Sequence, residues 1–144
     1  MKSLNSQYTY LDLFDLISGR HVAIRKALEE KWNELSDVSI SNSEWYIMTK
    51  LYGHQPTTAA LAKTVNMSRQ AIHKFIKKLE AKGLVEVTNG NNKRDKCIQL
   101  TDLGEKCIEK YISLKKDLER KISDQVGHEQ LVKIKEILNL DWGL

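Results

Sequence analysis

Residues 57–101, TTAALAKTVNMSRQAIHKFIKKLEAKGLVEVTNGNNKRDKCIQLT, decide how the rest of the chain is read. TTAALAKTVN predicts a short helix, and a second helix opens at Ser68, whose hydroxyl can accept a free N–H of the first turn. Ile72, Phe75, Ile76 and Leu79 recur at helical spacing and form one apolar stripe that must face a core. Gly83 supplies the left-handed residue that ends the helix. LVEVTNGNNKRDKCIQLT then predicts a β-hairpin with its tip at residues 88–92, where Asn and Gly tolerate positive φ. Together these elements predict a helix-turn-helix with a two-stranded wing behind it.

Burying the stripe turns Arg69, Gln70, His73, Lys74 and Lys77 outward. Between Lys63 and Lys96 the chain carries nine cations against three acids, a net +6, while the whole chain is +4, so the remainder sums to −2. A basic patch confined to one module is an electrostatic footprint of the kind that nucleic acid attracts. Arg can read guanine bidentately and Gln can read adenine. A recognition helix offers its N-terminal residues to bases, so Ser68, Arg69, Gln70 and His73 are the candidates for base contact and Lys74 and Lys77 for phosphate. In the wing, Asn91, Lys93 and Arg94 lie where a hairpin can drop a cation into a narrow minor groove.

Outward from the module, Ser41 and Glu44 in SNSEWYIMTKLYGH have the spacing of a capping box, and Gly53 and Pro56 end that helix. Residues 8–35 show apolar groups at helical spacing over about seven turns. Two further helices are predicted over residues 102–126 and 128–140, separated by Gly127. Their apolar faces are too extensive for one small domain. The expected organisation is a single domain, 1–144, mainly α with a small β-hairpin wing. Residues 41–101 form its winged helix-turn-helix, and 8–36 and 102–144 are helical regions for association.

Composition narrows the function classes. With 41% hydrophobic and 29% charged residues, the chain is ordinary for a globular protein. No apolar run approaches the roughly 20 residues that span a bilayer, and the first residues lack the pattern of a secretory signal, so the cytoplasm is the expected compartment and no membrane partner is expected. Cys97 and Cys107 stand ten residues apart without CxxC spacing, which predicts neither a disulfide framework nor a metal site. The scattered histidines, His21, His54, His73 and His128, and the absence of a phosphate-cradling glycine loop give no reason to expect an enzyme or a cofactor. A metal- or redox-responsive winged-helix sensor is the alternative reading.

MSRQAIHKFIKKLEAKGLVE, the helix order and LTDLGEK after the wing resemble the MarR (multiple antibiotic resistance regulator) family across nearly the whole chain. The resemblance implies a homodimeric, sequence-specific DNA-binding regulator, a repressor of a near-palindromic operator, with the long first helix and the last two helices forming the dimer interface. Many relatives release double-stranded DNA when a small, often aromatic anion binds, and His21, Arg25, Trp45 and Tyr46 are the candidates to line such a site. The family's wing holds an Asp-x-Arg pattern. Its Arg falls on Arg94, but its Asp falls on Asn92, so Asp95 is the nearer acid. The peroxide-sensing branch uses a cysteine in the first helix, and this chain has none there.

Overall fold

The computed structural model describes residues 11–89 and 96–144. These form α1 (Leu13–Leu35), α2 (Asn42–Leu51), α3 (Thr58–Thr64), α4 (Arg69–Ala81), β1 (Val85–Asn89), β2 (Lys96–Leu100), α5 (Asp102–Val126) and α6 (His128–Asn139). They divide into two units, one ending at Ser36 and one beginning at Asp37.

The first unit is α1. It starts later than the apolar periodicity predicts, because Asp12 is extended and its carboxylate accepts the Asp15 N–H at 2.8 Å. A cap of this kind sets a helix boundary more sharply than hydrophobic spacing does. Residues 8–10 of the predicted helix lie outside the described residues. Leu28 and Trp32 are buried, whereas Leu13, Phe14, Ile17 and Val22 are exposed, with Phe14 at 75%.

The second unit begins with the expected capping box. Ser41 Oγ accepts the Glu44 N–H at 3.2 Å, and Glu44 Oε1 accepts the Ser41 N–H at 3.0 Å. Each side chain thus satisfies a backbone donor that the helix cannot. α2 buries Trp45, Ile47, Met48 and Leu51, and packs on α3, β2 and α5. Thr57 caps α3 through the Ala60 N–H at 3.1 Å. The turn into α4 passes through Asn66 at φ 54°, a left-handed position that a short polar side chain tolerates. The Met67 N–H then returns to the Ala62 carbonyl at 3.0 Å.

Gly83, at φ 74°, ends α4 and leads the chain into the hairpin. β1 and β2 pair antiparallel with Val85 opposite Leu100 and Val87 opposite Ile98. Val85, Ile98 and Leu100 are buried, so one face of the hairpin closes the core. The hairpin is also anchored at its flank: Thr57 bridges Cys97, and the Ile98 N–H donates to the Pro56 carbonyl at 2.9 Å. Thr101 ties the far end, donating its N–H to the Leu84 carbonyl at 3.0 Å and its hydroxyl to the Gly83 carbonyl at 2.6 Å. α5 and α6 match their predicted spans to within one residue, and Gly127, at φ 99°, separates them. Lys135 and Glu119 form a 2.6 Å ion pair between these two helices. α6 buries no residue, and Ile134, Ile137 and Leu138 are exposed.

Candidate nucleic-acid interface

α4 carries the candidate interface residues, and both its ends and its inner face are specified. Ser68 is extended, at φ −66° and ψ 156°, and its Oγ accepts the Ala71 N–H at 3.1 Å. Ile72, Ile76 and Leu79 are buried, and Phe75 is half-buried. With that stripe inward, Ser68, Arg69, Gln70, His73, Lys74 and Lys77 are all exposed. The sorted surface expected from periodicity is therefore present. It offers a guanidinium, an amide, an imidazole and two ammonium groups along one helix, a donor-rich face suited to base edges and phosphates. Lys78 lies 5.9 Å from the Phe75 ring centroid and covers the edge of the stripe.

Lys82 departs from its expected place in the basic patch. Its Nζ donates to Glu44 Oε1 and Oε2, both at 2.8 Å, and to the Ser39 carbonyl at 2.6 Å. Glu44 is only 3% exposed. Burial alone would raise its pKa, but the Lys82 ammonium and the Ser41 backbone and side chain outweigh that and hold it below the usual carboxylate value. Nothing in the local sequence signals this pair, because its two residues stand 38 positions apart in the chain.

Asn91, Lys93 and Arg94 lie outside the described residues, as do Asn92 and Asp95. The strands that carry them are well set. Gln99 Nε2 donates to the Glu86 carboxylate across the hairpin, and the Thr88–Cys97 pair faces the Thr57 bridge.

The four residues considered for a small anion fall in both units. His21 and Arg25 stand one turn apart on α1, the first exposed and the second half-buried. Trp45 is buried in the core, its ring stacked on Tyr111 with centroids 3.9 Å apart and planes 5° from parallel. Tyr46 points the other way from α2, exposed, with Lys50 Nζ 5.4 Å from its ring centroid. An open cleft of about 630 Å³ lies nearby, lined by Thr49, Lys50, Tyr52, His54 and neighbouring residues, and contains none of the four. Cys97 is half-exposed on β2 and Cys107 is buried in α5. Among the described residues, no three His, Cys, Asp or Glu side chains gather as a metal site requires, and no helix is long and apolar enough to cross a membrane.

Comparison with known proteins places this arrangement. Residues 37–95 match the model of the MarR family. MepR, a transcription regulator of the Staphylococcus aureus multidrug efflux pump MepA, is 23% identical, with 94% of each chain covered and a TM-score of 0.70. Wild-type MarR from E. coli, in its apo form, is 20% identical, covering 90% of this chain and 96% of its own, with a TM-score of 0.70. The transcriptional repressor CouR, solved on a 23-mer DNA duplex, is 14% identical, covers 95% and 96%, and has a TM-score of 0.77. At these identities the solved structures establish the shared fold. No curated protein matches the chain. The family model thus matches the segment that holds α2, the helix-turn-helix and the first strand of the wing, and over these residues the chain is similar to the MarR family.

Proposed function

We propose that the protein is a sequence-specific DNA-binding transcriptional regulator that acts as a homodimeric repressor. One observation carries this reading: a single capped helix buries Ile72, Ile76 and Leu79 and presents Arg69, Gln70, His73, Lys74 and Lys77 together on its open face. Structural relatives add support, since CouR and S. aureus MepR are both solved with DNA, and CouR is a transcriptional repressor. In this reading Ser68, Arg69, Gln70 and His73 meet base edges, whereas Lys74 and Lys77 neutralise phosphates. The exposed apolar residues of α1, such as Phe14 and Val22, and those of α6, such as Ile137 and Leu138, supply the surface for a second copy. A two-fold dimer sets two recognition helices about one turn of DNA apart and requires a near-palindromic site.

A mobility-shift titration against the DNA upstream of its own gene, with scrambled DNA as competitor, tests the proposal. Selective retention of the upstream fragment is the expected result. Equal affinity for both DNAs would sink the claim of sequence specificity.

A further inference from the structure

We propose that Lys82 is a positioning residue for DNA recognition, clamping the C-terminal end of α4 to the N-terminal end of α2 through Glu44 and the Ser39 carbonyl. The inference rests on the reading of α4 as the DNA-reading helix. It assigns to the last cation of that helix a role other than phosphate contact.

The geometry separates the two roles. An ammonium group has three protons to donate, and Lys82 Nζ has three oxygens within 2.8 Å: both oxygens of Glu44 and the carbonyl of Ser39. Its hydrogen-bonding capacity is used inside the protein, and its charge is matched by a buried carboxylate. Glu44 Oε1 also accepts the Ser41 N–H at 3.0 Å, so the carboxylate is fixed to the first turn of α2. α2 in turn lies in the core, with Ile47 and Met48 fully buried. The clamp thus joins the end of α4 to a helix whose inner face is buried in the core.

Leverage makes that joint matter for recognition. The base-reading residues begin at Ser68, fourteen residues before Lys82, which is roughly 20 Å at 1.5 Å per residue. Were the C-terminal end released, a tilt of about 5° over that length would move the reading end by about 1.7 Å. Hydrogen bonds to base edges do not survive such a displacement. Contacts to phosphate are far less directional, since a point charge in a strong field tolerates small shifts. Loss of the clamp is therefore expected to reduce specific binding while sparing nonspecific binding.

The test uses the full chain and the operator fragment, with Lys82→Met and Glu44→Gln measured beside the unaltered protein. Affinity is read on operator and scrambled DNA over a salt series, and the folded fraction is checked by circular dichroism. Both variants are expected to lose about tenfold in operator affinity, as the competent orientation of α4 becomes a minor population. Their affinity for scrambled DNA and their salt slopes should stay unchanged. Glu44→Gln is the sharper arm, because removing an acid would strengthen binding if charge alone mattered. The proposal is overturned if Lys82→Met lowers the salt slope by about 0.9, which marks a lost phosphate contact. It is also overturned if both DNAs lose affinity equally, which marks unfolding, or if both variants keep operator affinity. If the unaltered protein itself does not distinguish operator from scrambled DNA, the reading of α4 fails, independently of the clamp.

Discussion

Among the described residues two glycines lie inside helices, and replacing each by alanine should shift stability in opposite directions. Gly104 sits in the first turn of α5, buried. A Cβ built there would fall 2.1 Å from the Leu84 carbonyl oxygen, 3.1 Å from the carbon of that carbonyl and 3.2 Å from Leu100 Cδ2. An ordinary carbon–oxygen approach is roughly 3.3 Å, so the helix and the start of β1 must separate by about 1 Å. Neither side yields easily, because Leu84 O accepts the Thr101 N–H at 3.0 Å and Thr101 Oγ1 accepts the Gly104 N–H at 3.1 Å. Overpacking of this kind costs about 1–3 kcal/mol, and straining the Leu84–Thr101 hydrogen bond adds about 1 kcal/mol. The intrinsic helix preference of alanine returns about 1 kcal/mol, leaving Gly104→Ala destabilised by about 1–3 kcal/mol. For a chain of this size that corresponds to a fall in Tm of roughly 3–12 °C. Gly19, within α1, has nothing within 4 Å of the same built atom, so Gly19→Ala should stabilise by about 0.5–1 kcal/mol. Urea and thermal denaturation, followed by circular dichroism at matched protein concentration, measure both. A Gly104→Ala protein within about 0.5 kcal/mol of the unaltered one, the spread of neutral surface changes, would refute the close approach.

Other expectations follow from the same geometry. Glu44 has a depressed pKa, so its contribution is complete above the unfolded value of about 4.3 and disappears as pH falls through the lower folded value. The stability gap between the unaltered protein and Glu44→Gln should be flat from neutral pH to about pH 5 and shrink below about pH 4; a gap constant down to pH 3 would contradict it. Cys107 is buried in α5, which pushes its thiol pKa up, with Lys110 only partly offsetting this, while Cys97 is half-exposed. A thiol-specific alkylating reagent should label Cys97 first and Cys107 only on unfolding, as peptide mapping would show; the reverse order would count against the packing of α5. On DNA, Arg69→Ala should lose about 1–3 kcal/mol of discrimination at one base position, whereas Lys77→Ala should weaken all DNA alike and lower the salt slope by about 0.9. If both variants behave alike in competition assays, the division of α4 into base and phosphate readers is wrong.

Local chemistry made most of the architecture legible. Ser41 with Glu44, Ser68, Gly83 and Gly127 mark helix ends by backbone hydrogen bonds and left-handed φ, both of which act within a few residues. The apolar stripe of α4 was readable for the same reason, since a period of 3.6 residues needs no knowledge of what the stripe meets. The start of α1 was misplaced where hydrophobic spacing ran past the Asp12 cap.

The chain by itself determined the order of elements, their boundaries apart from the start of α1, and the sorting of α4 into a buried and an exposed face. Each of these follows from forces between near neighbours in sequence. Only the tertiary structure decided which charges of the basic module stay available. Lys82 and Lys77 look alike in sequence, yet one lies exposed while the other is held by a carboxylate 38 residues away. It likewise decided that Gly104 is a point of contact and Gly19 is not, and that Trp45 stacks on Tyr111 inside the core. Those outcomes depend on which elements come together, and an attraction or a collision between distant segments leaves no periodic trace in either one.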